Sequence, residues 1–128
     1  MTEELVTLET AKLLKAAGFK EDVNSFYELV YKGGSGPEYE IDESYDAQNY
    51  NTDVYSISAP TQSIAQRWLR ETKNLHIEIS YMYENYWTYD ILTIPRHDLI
   101  GLSDRPIIRY NTYEEALEAG LQEALKLI

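Results

Sequence analysis

Ala59-Pro60-Thr61-Gln62-Ser63-Ile64-Ala65-Gln66-Arg67-Trp68-Leu69-Arg70-Glu71 is the stretch from which the fold can be argued outward. Pro60 precedes Thr61, whose hydroxyl suits an N-cap. Ile64, Ala65, Trp68 and Leu69 then form one apolar stripe at helical spacing, extended by Thr72, while Gln62, Ser63, Gln66, Arg67, Arg70 and Glu71 face away. Asn74 can close the helix in the left-handed conformation. Trp68 reads as the core anchor. Arg67 and Arg70 lie one turn apart and share a face. They serve either as counter-charges to the acidic segment before them or as an anion-binding pair.

The strongest strand pair follows directly. Ile77, Ile79, Tyr81 and Tyr83 share one face of a first arm, and Trp87, Tyr89, Ile91 and Thr93 share one face of a second. Keeping both sets on the same side requires a loop of odd length. The simplest register centres on Asn85, with Glu84-Asn85-Tyr86 as the loop, Tyr83 facing Trp87 and Ile79 facing Ile91. This aromatic face is expected to receive the helices.

Upstream, Leu5 to Ala17 reads as a helix. Thr7 caps it, Leu8, Ala11, Leu14 and Ala17 share a face, Gly18 supplies the left-handed terminator and Phe19 folds back on the last turn. Lys12 and Lys15 form its solvated side. Asn24 to Lys32 alternates as a strand with one face fully buried, and Thr52 to Ala59 is expected to pair with it. Gly33-Gly34-Ser35-Gly36-Pro37 is a turn; it lacks the Lys-Ser/Thr pair and the following helix of a phosphate loop.

Between these strands lies a segment without a single Lys or Arg from residue 33 to 66. It interleaves Glu38, Glu40, Asp42, Glu43, Asp46 and Asp53 with Tyr39, Tyr45 and Tyr50, and is expected to be an acidic, Tyr-rich loop over about 33–52. Three readings stand: a solvated loop, a calcium site, and a surface presenting Tyr and carboxylate to a basic protein. EF-hand spacing and its central Gly are absent, and no metal or cofactor is expected. Residues 95–106 read as a loop. Its Arg96-His97-Asp98 is not a catalytic dyad, because neighbours on an extended chain point opposite ways; Ser103 and Asp104 add nothing specific. Ile107-Ile108-Arg109 is a short strand or a docking segment. Thr112-x-x-Glu115 is a capping box that opens a last helix. Tyr113, Ala116, Leu117, Leu121, Ala124, Leu125 and Ile128 make its stripe, and Gly120 within it implies close approach of a neighbouring element.

The order helix-strand-strand-helix-strand-strand-helix predicts an α+β fold: a mostly antiparallel sheet of about four strands with helices on one face. At 128 residues a single domain over 1–128 is expected. With no cysteine, disulfides and thiolate chemistry are excluded. Acids at Glu3 and Glu4 and the lack of any apolar run near ~18 residues point to a cytoplasmic protein with no membrane partner.

The net charge of −11 opposes phosphate backbones and anionic membranes and favours basic protein surfaces. Twelve tyrosines suit either strands or a binding surface. The favoured function is therefore a non-enzymatic protein-interaction domain, with Glu38, Tyr39, Glu40, Asp42, Glu43, Tyr45, Asp46 and Tyr50 as contact residues. A small-ligand or nucleotide binder using Arg67, Arg70, Arg96 or Arg109 is the alternative. A hydrolase built on His76 or His97 ranks last, and no catalytic residues are assigned.

Two segments carry a resemblance. Pro60-Thr61 with Trp68-Leu69-Arg70-Glu71 and Leu75-His76-Ile77 is one; Tyr113-Glu114-Glu115-Ala116-Leu117-Glu118 with Ala124-Leu125-Lys126-Leu127-Ile128 is the other. Together they resemble small uncharacterised proteins of gut Bacteroidetes phages and of integrated mobile elements. Where that group often has Lys-His after Arg-Glu, this chain has Thr72-Lys73. The resemblance implies a setting, a phage or mobile element acting in the host bacterial cell, and carries no activity with it.

Overall fold

A computed structural model describes residues 3–31, 33–34, 36–100 and 108–128. The chain forms α1 (Leu8–Ala16), β1 (Val23–Tyr31), β2 (Pro37–Gln48), β3 (Ser56–Ser58), α2 (Gln62–Thr72), β4 (Leu75–Met82), β5 (Tyr86–Thr93), β6 (Leu99–Ile100) and α3 (Tyr113–Lys126). It is α+β and antiparallel, but its strands make two three-stranded sheets, β2-β1-β3 and β4-β5-β6, rather than one sheet of about four. Two compact units result: Leu5–Pro60, and Met1–Glu4 with Thr61–Ile128.

In the unit Leu5–Pro60, α1 starts where Thr7 Oγ1 accepts the Thr10 N–H. It ends in a Schellman arrangement: the Phe19 N–H reaches the Leu14 carbonyl and the Gly18 N–H that of Lys15, with Gly18 at φ +96°. Val6, Ala11, Leu14, Phe19, Val23, Tyr50, Ile57 and Ala59 are buried apolar residues of this unit. Lys15 is not merely solvated, because its Nζ donates to the carbonyls of Asp53 and Ser56. Lys12 Nζ lies 5.2 Å from the centre of the Tyr39 ring.

The expected pairing of β1 with the later strand is present, Tyr27 opposite Ile57 and Phe26 opposite Ser58. That strand is only three residues long. Asp53 Oδ1 accepts the N–H groups of both Tyr55 and Ser56, and this Asx turn holds the preceding residues out of the ladder. The expectation of a fully buried face on β1 fails: Val23 alone among its residues is buried.

The other unit places α2 and α3 against β4 and β5. Thr61 caps α2 through the Ile64 N–H, and Asn74 stops it at φ +56°. Trp68, Leu69 and Ala65 are buried, as the stripe predicts. Gln62 departs from its outward assignment. It is buried, with Nε2 donating to the Glu114 carbonyl at 3.0 Å and to Glu118 Oε1 at 2.9 Å, so it ties α2 to α3. Thr72, expected to extend the stripe, is exposed and returns its hydroxyl to the Trp68 carbonyl.

The hairpin keeps the predicted face and an odd loop but slips by one pair. Ile77 faces Ile91, Ile79 faces Tyr89 and Tyr81 faces Trp87, so the loop is Tyr83-Glu84-Asn85. Glu84 and Asn85 carry the positive φ values, +80° and +65°, and the Asn85 N–H closes on the Met82 carbonyl. An asparagine tolerates that backbone as the last loop residue, which frees Tyr86 to begin β5. Against the other edge of β5, Leu99–Ile100 pair with Ile91 and Leu92, and Tyr110 bridges Trp87. Residues 95–106 are thus not all loop. Ser103, Asp104 and Ile107 lie outside the described residues.

α3 opens as read. Thr112 Oγ1 accepts the Glu115 N–H, and Glu115 Oε2 reaches back to the Asn111 N–H. Gly120 sits on the sheet. A Cβ there would stand 2.7 Å from Ile77 Cγ2 and 3.2 Å from two ring atoms of Tyr89.

Candidate functional site

The acidic segment is a strand, not a loop. Its residues Pro37–Gln48 form β2, hydrogen-bonded along one side to β1 and standing at the edge of its sheet. The apolar residues that permit this are sparse. Tyr39 lies opposite Leu29 and Ile41 opposite Tyr27, a row on the same face as Ile57. The Tyr27 hydroxyl donates to the Val6 carbonyl, so this row faces the N-terminal segment and α1.

Alternation then fixes the other face. Glu38, Glu40 and Asp42 stand at every second position, opposite Val30, Glu28 and Phe26 respectively. Glu28, Glu38, Glu40 and Asp42 are all exposed. Successive carboxylates on β2 are about 6.8 Å apart along the strand. Glu28 directly opposite Glu40 is a like-charge cross-strand pair, an arrangement that costs stability rather than adding to it.

The remaining predicted contact residues are dispersed. Glu43 belongs to the Tyr39–Ile41 face, and among the described residues no group of three potential ligands is positioned to hold a metal ion. The register breaks between Val23 and Ser25, and Asn24 Nδ2 donates to the carbonyls of Ser44 and Tyr45 across that break. Tyr45 is fully solvent-exposed, and Asp46 is exposed beside it. Tyr50 is not on the surface. It is buried, stacked on Phe26 with ring centres 4.0 Å apart, and its N–H donates to Ser58 Oγ. It belongs to the core, so unlike the other expected contact residues it presents no surface to a partner.

The arginines do not converge. Arg109 donates to Glu84 Oε2 at 3.1 Å and covers the Tyr86 ring, and Arg96 pairs with Asp98 at 3.4 Å. Arg67 is exposed, whereas Arg70 is half-buried and lines a cavity of ≈ 310 Å³ with His76, Leu92, Thr93, Ile94, Pro95 and His97. This cavity was not visible in the sequence. The sequence offers His76 and His97 only as alternative residues of the last-ranked hydrolase, and nothing in it brings either beside Arg70. Their meeting depends on the turn after β5, where the His97 N–H closes on the Thr93 carbonyl and His97 takes φ +65°.

No helix among the described residues is long and apolar enough to cross a membrane. Comparison with protein-family models, with curated proteins and with solved structures gives no match.

Proposed function

We propose that this protein is a non-enzymatic interaction domain that engages a basic protein surface through β2. The observation that carries the reading is the placement of Glu38, Glu40 and Asp42 on one face of a twelve-residue edge strand, with Glu28 beside them. An edge strand offers unpaired backbone groups along its outer side, the template used when an extended segment adds to a sheet. Carboxylates at every second position match a partner strand or loop carrying Lys or Arg at the same period. Such a partner also relieves the repulsion between Glu28 and Glu40. The same charges keep the edge from pairing with another copy of itself, so they select against one occupant while favouring another.

In the setting that the sequence resemblance implies, a phage or mobile element in a bacterial cell, the partner would be a host or phage protein with a basic face. Direct nucleic-acid binding is disfavoured by the net charge of −11.

The test is backbone amide shift mapping with a twelve-residue peptide alternating Lys and Thr. The reading expects perturbations along residues 37–43 that saturate and weaken with salt. Perturbations scattered over the acidic surface, with no focus on β2, would refute it.

A further inference from the structure

The cavity beside Arg70 is lined wholly by residues of the unit that contains α2, β4 and β5, and shares none with the β2 face on which the proposed function rests. Its chemistry is the reverse of the rest of the molecule. In a chain with 22 acidic and 11 basic residues, it gathers one guanidinium and two imidazoles, and no carboxylate lines it. Arg70 is half-buried, and no hydrogen bond or ion pair holds its guanidinium among the described residues. Arg96 and Arg109, two exposed arginines of the same unit, are each paired with a carboxylate. An arginine is charged at any accessible pH and offers a planar fork of donors suited to a carboxylate or phosphate.

His76 supplies a second, independent sign. Its Nδ1 is buried and has no hydrogen-bond partner among the described residues. A buried polar atom left unsatisfied costs about 1–3 kcal/mol, a cost that a bound water or a ligand group beside it would offset. Leu92, Ile94 and Pro95 give the rest of the wall its apolar surface, with Thr93 beside them. Apolar walls with a few convergent polar groups are the ordinary composition of a small-molecule site, and ≈ 310 Å³ accommodates a compact ligand of about ten heavy atoms.

We propose that this cavity binds a small organic oxyanion, a carboxylate or a phosphate monoester. The charged group lies between Arg70, His76 and His97, and the ligand's apolar body rests on Leu92, Ile94 and Pro95. Arg70 is the main charge partner. His76 and His97 act as hydrogen-bonding groups that orient the oxyanion.

The test titrates the intact protein with phenyl phosphate, benzoate, inorganic phosphate and uncharged benzyl alcohol, followed by side-chain NMR of Arg70, both histidines and the Leu92 methyls. Saturable binding of phenyl phosphate or benzoate, with shifts confined to those residues and none from benzyl alcohol, is the expected result. The tighter of the two identifies phosphate or carboxylate as the recognised group. Inorganic phosphate should bind more weakly than phenyl phosphate, because it leaves the apolar wall unused. Arg70→Gln should weaken binding by about tenfold or more, the scale of a lost hydrogen bond to a charged group. Lys126→Gln, which removes the same charge from the end of α3, should leave affinity unchanged. His97→Gln, on an exposed turn, tests the site should Arg70→Gln disturb folding, and should weaken binding severalfold. The proposal is overturned if neither organic anion saturates at about 10 mM, a concentration that would reveal even millimolar affinity. Equal weakening by Arg70→Gln and Lys126→Gln would also overturn it.

Discussion

Gly120→Ala opposes two effects whose sizes can be compared. In an exposed helix interior the change would stabilise by about 1 kcal/mol, since glycine is the poorer helix former by that amount. Here the new methyl would stand 2.7 Å from Ile77 Cγ2 and 3.2 Å from the Tyr89 ring. Contacts between carbons are comfortable near ~3.5–4.0 Å, so α3 and β4 would have to separate by most of an ångström. Ile77 cannot move aside easily. It is fully buried, its Cγ2 sits on a branched Cβ with restricted rotation, and its backbone is locked in the ladder opposite Ile91. Overpacking of this kind costs about 1–3 kcal/mol. With the neighbour pinned, the upper half of that range applies, and the net result is a loss of about 1–2 kcal/mol. Thermal or urea unfolding of the variant measures it. Ile77→Leu removes the branch at Cβ and should recover part of the loss in the double variant, giving a coupling of about 0.5 kcal/mol or more. An alanine variant as stable as the parent, or a double variant with no coupling, would refute the close approach of α3 to β4.

Three further outcomes follow from the same packing. Trp68→Ala should destabilise its unit by about 3–5 kcal/mol, as expected for emptying a buried aromatic site; unchanged denaturation would remove Trp68 from the core. Gln62→Ala should cost about 1–2 kcal/mol, because it removes the hydrogen bonds to the Glu114 carbonyl and Glu118; circular dichroism melts report it. Glu28→Lys should stabilise by about 0.2–1 kcal/mol by replacing a like-charge cross-strand pair with an opposite one, and the gain should shrink in high salt.

What the sequence made legible were features specified by a few adjacent residues. Thr7, Thr61 and Thr112 each cap the helix assigned to them, Gly18 and Asn74 each end one, and Gly120 marks a close packing. The hairpin face was also legible, because shifting by two residues preserves alternation. For the same reason alternation could not choose between neighbouring registers, and the positive φ of Glu84 and Asn85 decided that. β2 was hidden by its own charge. Asp and Glu are poor strand formers, so Tyr39 and Ile41 did not register as an alternating pair until β1 supplied Leu29 and Tyr27 opposite them. Tyr50 was grouped with the acids around it, although its ring stacks on Phe26. The Arg70 cavity was beyond sequence reasoning, since it joins a helix end, a strand start and a turn whose residues share no local pattern.

The central claim is that the alternating carboxylates of β2 recognise a basic extended partner. Its most direct test is the affinity of the alternating Lys-Thr peptide for the parent and for the variant Glu38→Gln/Glu40→Gln/Asp42→Asn, each across a range of salt. Exposed ion pairs contribute about 0.2–1 kcal/mol each, so losing three should weaken binding by roughly tenfold and flatten its salt dependence. Neutralising Glu43 and Asp46 instead should change it little. Equal affinity and equal salt dependence for the parent and the triple variant would contradict the claim.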